Sequence, residues 1–479
     1  MCGIVMLSGP GAAHRLPKCL DRLRHRGPDD QYSWYGDRLA LGFARLAING
    51  DLSVGRQPYA HGDLVGAING EIYNHRTLAR DHDLPQSECD TRVVLPLLDL
   101  YGPQGIIDRL DGFFSAVVIR PSIREVICLR DHMGKKPLFV GRSSGDVFVA
   151  SELKVFDECD WFEMLPRGAS TVDLDTGAVK HLATHHLQAP KHDLACLLQD
   201  AVRKRLPSRD QPVGVFLSGG LDSSIVASAV SRLRDDAVYF TLGNSNEPDC
   251  QAVTVVENAL GLQQIQRLSL PSPSEIPQLV RNVVHAAESY NPSIISNGIA
   301  TYLLARVAHN IGIKVVLTGE GSDELFGGYH MFKEKDPWSD VRQQLINDMQ
   351  STELRRLDLC CMAHSIEARC PFLDRSVRAY SNGLGFREMY DSGENKVALR
   401  HSFEGVLPPD ILHRKKTSFD VGSGIRGMVV RYLRRNGRSE REELKAIWAQ
   451  FFGNHPNDPY FHEYPVFDAA IDRRMEVHR

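Results

Sequence analysis

The amino-acid sequence predicts two domains of different fold class, an α+β domain with antiparallel sheets followed by an α/β domain with a parallel sheet. Residues 1–185 consist mainly of short apolar runs separated by turns, which is typical of antiparallel strands. In residues 196–479, strand-like apolar runs alternate with helical periodicity, which indicates parallel strands joined by helices. Residues 186–195 are predicted to form a linker between the two domains.

The composition fits a globular chain of two or three domains. Of the 479 residues, 42% are hydrophobic and 24% are charged, which is an ordinary balance. The 56 basic and 60 acidic residues leave a net charge of −4, which argues against bulk electrostatic binding to nucleic acid. No apolar run is long enough to cross a bilayer, so no membrane partner is expected. The ten cysteines include no CxxC pair, which favours reduced thiols and a cytoplasmic location.

In the first domain, the predicted strands cover 39–48, 64–70, 113–119 and 125–129. The clearest predicted helix covers 91–102, and Pro96 is expected to kink it. The polar stretch 180–193 carries four histidines, His181, His185, His186 and His192. Because no carboxylate or cysteine spacing accompanies them, we interpret this stretch as a solvated linker and not as a metal site.

In the second domain, the predicted strands cover 213–217, 237–242 and 313–317, and the predicted helices include 250–261 and 301–312. Gly261 and Gly312 are expected to end these two helices. Ligands of parallel α/β sheets bind beyond the carboxyl ends of the strands. The loops after strands 213–217 and 313–317 are therefore the expected binding loops.

The first of these loops, Ser218–Ser224, has the character of a phosphate-binding loop. Its glycines allow close backbone approach, and the following helix offers N–H groups and a favourable dipole to an anion. Asp222 would repel phosphate unless a cation lies between them, and Mg²⁺ would resolve this. The Walker pattern GxxxxGK[ST] is absent from the loop, which disfavours a P-loop enzyme.

The second loop, Thr318–Tyr329, is rich in glycine and acid. Glu320, Asp323 and Glu324 place three carboxylates within five residues, an unfavourable cluster unless a metal or a proton transfer uses it. Asp323 is a natural second ligand for Mg²⁺. A solvated acidic turn is the simpler alternative.

Cys2 directly follows the initiator Met1. Removal of Met1 would make it N-terminal, and its α-amine, with a pKa of about 7.7–8.0 in model peptides, is a base near neutral pH. One residue would then supply both the nucleophile and the base of an acyl transfer such as glutamine hydrolysis.

The synthetase half of asparagine synthetases resembles the second domain along most of its length. The resemblance rests on LSGGLDSS (217–224), FTLG (240–243), IKVVLTGEGSDELFGGY (313–329), HSIEARCPFLD (364–374), NKVALR (395–400) and LPPDILHRKKTSF (407–419). It implies an ATP pyrophosphatase (PP-loop) fold that adenylates a carboxylate with ATP and releases pyrophosphate. The implied ATP-binding residues are Leu217, Ser218, Gly219, Gly220, Asp222, Ser223, Leu242, Gly243, Thr318 and Gly319. Asp222 and Asp323 would hold the metal, and Glu320 and Lys396 would handle the acceptor and the transition-state charge.

The first domain resembles the glutaminase half of the same family, a class II glutamine amidotransferase with an N-terminal nucleophile and αββα layers. The matching motifs, in order, are CGI (2–4), RHRGPDD (24–30), ARLAI (44–48), NGEIYN (69–74), CDT (89–91), FSAVVI (114–119), RDHMGKKPL (130–138) and SELK (151–154). The resemblance implies that Asn69 and Gly70 form an oxyanion hole for the acyl group on Cys2. The implied glutamine-binding residues are Arg45, Ile48, Asn69, Glu71 and Asp90. Taken alone, Asn69-Gly70 would be interpreted as a type I′ hairpin turn.

Two departures from the family pattern stand out. His132 and Met133 replace a common Pro-Leu pair, with little expected consequence. Ser296 stands where bacterial asparagine synthetases usually carry an arginine, which weakens the case for aspartate as the acceptor. Whether Lys415 or Lys416 contacts the nucleotide stays open.

The resemblance implies a glutamine-dependent amidotransferase whose partners are glutamine, ATP and a carboxylate, with Mg²⁺ as cofactor. Ammonia would pass internally from the first domain to the second. Aspartate is the favoured acceptor, and a carboxylate of a specialised pathway is the alternative. A lactam-forming relative, a non-catalytic paralogue and a tRNA-modifying enzyme are disfavoured, because Cys2 and the acidic loop residues are intact and no basic surface or redox cysteine pair is visible. The sequence does not decide whether the chain forms a homodimer.

Overall fold

The computed structural model describes residues 2–49, 54–329 and 338–463, which form two compact units. The first unit comprises the chain up to His186 together with the short segments Met362–Ser365 and Ala449–Asn457. The second unit comprises the remaining described residues. Met1, whose removal the sequence predicts, lies outside the described residues.

Two antiparallel sheets form the centre of the first unit. Their strands are β1 Gly3–Ser8, β2 Asp30–Gly36, β3 Leu39–Arg45, β4 Tyr59–His61, β5 Leu64–Ile72, β6 Gly112–Arg120, β7 Glu125–Arg130, β8 Phe139–Ser143, β9 Asp146–Ala150, β10 Trp161–Met164, β11 Gly168–Val172 and β12 Val179–Ala183. The strand order is β10-β8-β9-β1-β3-β2 in one sheet and β12-β11-β7-β6-β5-β4 in the other.

Helices cover the outer faces of both sheets. They are α1 Ala12–Arg22, α2 His75–Asp81 and α3 Val94–Ile107. α1 packs on β1 and β3, whereas α3 packs on the second sheet and shares a buried core with it. The observed order of layers is therefore helix, sheet, sheet, helix, and the predicted αββα fold class is confirmed.

Alternation along the strands explains this layering. In β1, Ile4 and Met6 face the other sheet, and Val65 and Ala67 of β5 do the same, so these side chains meet in one core between the sheets. Ile68 of β5 points the other way, into the core under α3. Strands that are apolar on both faces can be buried on both faces, and this places the first unit's sheets in the middle of four layers.

Two local predictions for the first unit are wrong, and one alternative interpretation is excluded. The helix breaks at Gly102, which has φ +66°, and not at Pro96, because Pro96 lies in the first turn of α3 where its missing N–H needs no partner. The predicted linker 180–193 begins with strand β12, which pairs with β11. Asn69 and Gly70 lie inside β5, opposite Ser115 and Phe114, and not in a hairpin turn.

A five-stranded parallel sheet forms the centre of the second unit, as predicted. Its strands are β13 Val213–Phe216, β14 Val238–Leu242, β15 Ile265–Leu268, β16 Val315–Leu317 and β17 Glu367–Arg369, in the order β15-β14-β13-β16-β17. A short hairpin, β18 Tyr390–Asp391 and β19 Glu394–Asn395, lies outside this sheet. β15 and β17 have no predicted counterpart, because a strand of three or four residues that includes charged ones carries no clear apolar run.

Helices α4 to α18 make up most of the rest of the second unit, although the last residues of α11 and α18 belong to the first unit. They are α4 Leu194–Arg205, α5 Leu221–Ser231, α6 Pro248–Leu260, α7 Ile276–Ala287, α8 Pro292–Asn310, α9 Ser322–Phe326, α10 Trp338–Asp348, α11 Glu353–Met362, α12 Arg375–Asn382, α13 Phe386–Met389, α14 Val397–Ser402, α15 Pro409–Leu412, α16 Phe419–Gly422, α17 Ile425–Leu433 and α18 Glu440–Phe452. Gly261 ends α6 with φ +64°, as predicted. α8 begins nine residues earlier than predicted, at Pro292, because Asn291 accepts hydrogen bonds from the Ser293 and Ile294 N–H groups and caps it.

The described end of the chain packs against the start of α8. The Phe461 carbonyl accepts hydrogen bonds from the Tyr290 N–H and the Ser289 hydroxyl. Arg355 donates to the carbonyls of Ala287, Glu288 and Tyr460, so one buried guanidinium satisfies three of them. Tyr460 and Phe461 therefore have a packing role at the described end of the chain, and residues 464–479 lie outside the described residues.

Candidate active sites

In the first unit, the pleat of three strands brings the predicted glutaminase residues together. Cys2 precedes β1 and continues the face of Ile4 and Met6. Asn69 continues the face of Val65 and Ala67 in β5, so both side chains reach the space between the sheets. The Cys2 backbone nitrogen, which would become the α-amine, donates a hydrogen bond to Asn69 Oδ1 over 2.9 Å. The predicted nucleophile and the predicted oxyanion-hole residue are thus in contact.

Asn69 has a donor available at this position. Its side chain is fully buried, and Nδ2 has no hydrogen-bond partner among the described residues. An unpaired buried N–H group is costly, so its presence beside a nucleophile suits a site that stabilises an oxyanion. Gly70 has φ +147°, and a Cβ there would lie 2.0 Å from the Phe113 carbonyl oxygen. Only glycine fits this strand position.

The predicted glutamine-binding residues are buried around the same region. Arg45 is 4% exposed. Its guanidinium lies against the backbone of Gly55, where a Cβ would be 2.1 Å from Nη2. Glu71 accepts a hydrogen bond from Asn49 Nδ2 over 2.8 Å, and Asp90 accepts one from the Ile72 N–H over 2.6 Å. The remaining predicted residue, Ile48, is buried too. A buried arginine and two buried carboxylates are the groups needed to bind a zwitterionic amino acid.

A second set of residues holds Cys2 in place and was not singled out in the sequence. Arg26 Nε donates to the Cys2 carbonyl oxygen over 2.9 Å, and Arg26 Nη1 pairs with Glu152 Oε1 over 2.6 Å. His25 and Lys154 also contact Glu152. Although burial raises the pKa of Glu152, Lys154, His25 and Arg26 hold it well below its ordinary value. The signal was present, since these residues belong to the motifs RHRGPDD and SELK.

In the second unit, the strand order places two loops side by side. The sheet grows from β13 through β14 to β15 on one side and through β16 to β17 on the other, so the order reverses between β13 and β16. Crevices form at such reversals, beyond the carboxyl ends of the strands. The loops after β13 and β16 touch here: a Cβ on Gly319 would lie 2.8 Å from the Asp222 Cβ.

A cavity opens between these loops. Its lining includes Leu217, Ser218, Gly220, Asp222, Ser223, Thr318, Gly319, Glu320, Asp323 and Lys396 from the predicted set, together with Arg414, Lys415 and Lys416. Of the predicted nucleotide residues, Gly219, Leu242 and Gly243 do not line it. Gly219 has φ +68° and faces α6, away from the cavity. A Cβ there would lie 2.6 Å from Ala252 Cβ.

Lys396 lies at the centre of the charged groups in the cavity. Its Nζ is 2.7 Å from both Asp222 carboxylate oxygens and 2.7 Å from Asp323 Oδ1. Lys416 Nζ contacts Asp323 Oδ2 over 2.5 Å. Burial raises the pKa of Asp323, but Lys396 and Lys416 hold it well below its ordinary value, so this carboxylate is ionised. Lys396 itself is buried, with 2% of its surface exposed.

The donor set around Lys396 suits a hard divalent cation. Asp222 and Asp323 both contact the Lys396 amine, so they lie near each other, and they offer only oxygen ligands. Mg²⁺ is usually bound by one or two carboxylates with phosphate oxygens and water completing its shell. Among the described residues, no group of three or more His, Cys, Asp or Glu side chains could hold a metal by itself. The two carboxylates therefore fit a Mg²⁺ ion that arrives with a phosphate ligand.

The structure adds an arginine that sequence reasoning missed. Arg356 of α11 pairs through Nη2 with Glu320 Oε1, and its Nη1 donates to Thr301 Oγ1 over 2.7 Å. Arg356 and Thr301 both line the cavity. Nothing in the sequence around residue 356 marks it, because it lies in an ordinary amphipathic helix far along the chain from Glu320.

Comparison with known proteins gives a family match for each half of the chain. Residues 1–199 match the model of a glutamine amidotransferase domain, and residues 193–346 and 333–452 match that of asparagine synthase. A glutamine-hydrolysing asparagine synthetase from Escherichia coli (strain K12) is 31% identical over 84% of this chain and 78% of its own. Similar enzymes from Lotus japonicus and Oryza sativa subsp. japonica are 31% and 32% identical, each over 88% of this chain and 78% of the relative.

The chain belongs to the asparagine synthase family. This confirms the predicted family, the predicted order of a glutamine amidotransferase domain followed by an asparagine synthase domain, and the prediction of a glutamine-using carbon–nitrogen ligase. Use of ATP follows from membership of the asparagine synthase family. In the part of the chain that the structure describes, every helix falls short of the length or apolar character needed to cross a membrane.

Proposed function

We propose that this chain makes asparagine from aspartate, ATP and glutamine. ATP adenylates the side-chain carboxylate of aspartate and releases pyrophosphate, and ammonia then displaces AMP to give asparagine. Glutamine hydrolysis yields glutamate and the ammonia. The single observation that carries the proposal is the match to asparagine synthetases along both units, with the residues for each half-reaction present in order.

In the first unit, Cys2 is the proposed nucleophile toward the glutamine amide. Its thiol would add to the amide carbon while its own α-amine accepts the proton, and Asn69 and Gly70 would donate hydrogen bonds to the oxyanion. Arg45 would bind the α-carboxylate of glutamine, while Glu71 and Asp90 would bind its ammonium group, with Ile48 beside them. The contact between Cys2 and Asn69 supports this assignment.

In the second unit, Ser218, Gly220 and Ser223 are the proposed pyrophosphate-binding residues. Asp222 and Asp323 would hold Mg²⁺, which supplies positive charge to the phosphate oxygens when bound. Lys396 would neutralise charge that develops on the phosphate as pyrophosphate leaves. Glu320 lines the same cavity and would contact the acceptor.

Of the basic residues that follow α15, Arg414 and Lys416 are also assigned to the phosphate side of the cavity. Arg414 donates to the Ser218 carbonyl over 3.1 Å and to Asp249 over 2.7 Å, and so holds the phosphate-binding loop. We assign Lys416, which contacts Asp323, to the pyrophosphate side, and Lys415 keeps no assignment. Leu242 and Gly243 remain proposed for the adenine side. A cytoplasmic location, absence of nucleic-acid and membrane partners, and the oligomeric state remain predictions from the sequence.

The rival acceptor, a carboxylate of a specialised pathway, is not favoured. The argument for it was the serine at position 296. The relatives that match most of the chain are asparagine synthetases, and the cavity holds a cation, Arg356, that the sequence did not reveal.

The test is a product balance on the purified full chain with Mg²⁺, ATP, aspartate and glutamine. Asparagine, AMP, pyrophosphate and glutamate should form in equal amounts, and omission of aspartate should abolish pyrophosphate release above background. Release of pyrophosphate with another carboxylate but not with aspartate would contradict the proposal and favour the rival acceptor. Formation of ADP would contradict the adenylation step.

A further inference from the structure

Position 296, a serine, offers no charge to the acceptor in this chain. Ser296 lies on α8 and is fully buried. Its Oγ has no hydrogen-bond partner among the described residues, and it does not line the cavity. Another residue must therefore bind the charged end of the acceptor.

Arg356 supplies a cation to this part of the cavity from a different helix. Its side chain is 12% exposed, and its guanidinium contacts Glu320 and Thr301. Thr301 lies on α8, the helix that carries Ser296, so the charge of α11 reaches the cavity wall that α8 builds. Two of the five N–H groups of the guanidinium are used in these contacts, which leaves donors for a ligand.

A glycine on α8 lets α11, the helix that carries Arg356, pack close against it. A Cβ on Gly298 would lie 2.9 Å from Val283 Cγ1 and 3.2 Å from Cys360 Sγ, and it would approach Arg356 Cγ to 3.8 Å. The absence of a side chain at residue 298 lets α11 lie close against α8. The stem of Arg356 then passes over α8 toward Glu320.

The pair has the chemistry of a receptor for a zwitterion. An α-amino acid carries an ammonium group and a carboxylate on one carbon, and Glu320 and Arg356 present the opposite charges side by side. A guanidinium binds a carboxylate through two parallel hydrogen bonds, and hydrogen bonds to ions are the strong ones in proteins. Asp222, Asp323 and Lys396 lie on the phosphate side, so the distal carboxylate of a bound amino acid would face the group that activates it.

We propose that Arg356 binds the α-carboxylate of the acceptor and, together with Glu320, makes the site select an α-amino dicarboxylic acid over a plain dicarboxylic acid. This inference rests on the proposed function, since it names the recognition of the same acceptor. It makes Arg356 a specificity residue that touches the substrate and not merely a partner that positions Glu320.

The test compares Arg356→Gln with the wild-type full chain in pyrophosphate release supported by aspartate or by succinate, with ammonium as nitrogen source. The KM for aspartate should rise about 10- to 100-fold, as expected for loss of a charged hydrogen-bonded pair, with the KM for ATP changed less than about 2-fold. The ratio of kcat/KM for aspartate to kcat/KM for succinate should fall by about 10-fold or more. Arg306→Gln, which removes an arginine of α8 that does not line the cavity, should change neither constant.

An aspartate KM within about 2-fold of wild type in folded Arg356→Gln would overturn the inference while leaving the proposed function intact. If wild-type protein itself fails to respond to aspartate, the proposed function fails first. Should Arg356→Gln not fold, Thr301→Val removes one hydrogen bond from the guanidinium, and we expect about a 5-fold rise in the aspartate KM. An unchanged aspartate KM in that variant would equally overturn the inference, as would a changed KM for ATP alone.

Discussion

At the scale of single residues, the synthetase cavity depends on charged side chains that the surrounding contacts hold close together. Lys396 adopts φ +57°, an uncommon conformation for a residue with a side chain, at the start of α14. Asn395 Nδ2 donates to the Gly328 carbonyl over 2.7 Å, and Arg400 Nε donates to the Asn395 carbonyl over 2.6 Å. These contacts fix the turn so that the amine of Lys396 reaches Asp222 and Asp323.

Asp323→Asn should therefore suppress the ATP-dependent step. The change removes one carboxylate from the proposed Mg²⁺ ligands and one partner of Lys396 and Lys416. We expect aspartate-dependent pyrophosphate release to fall by about 100-fold or more, with glutamine hydrolysis retained. Pyrophosphate release measured over a Mg²⁺ titration checks this. The exposed Asp340→Asn is the matched control, and undiminished release by Asp323→Asn would contradict the assignment.

The burial of Glu353 predicts that the stability of the folded protein depends on pH. Burial raises the pKa of Glu353 to about 7, although Thr352 donates a hydrogen bond to it. The folded protein thus holds this proton more tightly than the unfolded chain, whose glutamate titrates near pH 4.3, and stability is lost as the pH rises from there toward 7. Glu353→Gln removes this loss.

We expect wild type to lose about 1–3 kcal/mol relative to Glu353→Gln between pH 5 and pH 8. Thermal melting of both proteins at the two pH values measures the difference. A gap between the two melting temperatures that stays constant with pH would contradict the assigned burial effect.

At the scale of elements, each site lies where strands end. Alternation along β1, β3 and β5 sends Cys2, Arg45, Asn69 and Glu71 to one side of their strands, beyond the last apolar residues of the core between the sheets. In the second unit, the reversal of strand order between β13 and β16 sets two loops together. The apolar runs predicted β3, β5, β13 and β16, but β1 was not predicted.

The loop after β13 depends on a glycine that does not line the cavity. Gly219 has φ +68°, and a Cβ there would lie 2.6 Å from Ala252 Cβ and 2.7 Å from the Val253 backbone nitrogen. Gly219→Ala should push the loop away from α6 and raise the KM for ATP about 10-fold or more. ATP-dependent pyrophosphate release measures this.

Gly261→Ala is the matched control for that substitution. Gly261 has a similar φ of +64°, but a Cβ there would meet nothing within 4 Å. We expect a loss of about 1 kcal/mol of stability from the left-handed conformation, with the KM for ATP unchanged. Equal effects of both substitutions on the KM would show that backbone conformation, and not the contact with α6, is responsible.

At the scale of the whole molecule, the chain joins two chemistries that can be separated by one substitution. Cys2→Ala should lower glutamine hydrolysis by about 1000-fold or more, because the nucleophile is lost. Asparagine synthesis driven by ammonium should survive. Parallel assays of glutamate and asparagine formation check this, with the buried Cys19→Ala of α1 as control. Loss of both activities on Cys2→Ala would contradict the two-site scheme.

The site residues divide by how local their signals are. Cys2, Asn69, Asp222, Asp323 and Lys396 lie in dense motifs and were predicted. Glu152 also lies in a motif, SELK, although its partner Arg26 is far along the chain, whereas Arg356 lies in no motif and pairs with the distant Glu320. Such pairings follow from how elements pack, so no window of sequence contains them. The break at Gly102 was missed for a related reason, since Pro96 is disruptive only when its N–H position would need a partner.

By itself, the sequence determined the family, the class of each sheet, the nucleophile at residue 2 and the two loops of the synthetase cavity. Those features depend on local patterns, namely strand periodicity, glycine spacing and short runs of charge. Only the tertiary structure decided that Ser296 is buried away from the cavity, that Asn69 lies within a strand against Cys2, and that Arg356 faces Glu320. Each of these depends on which distant segments pack together, and that is set by the sum of many weak contacts in the core.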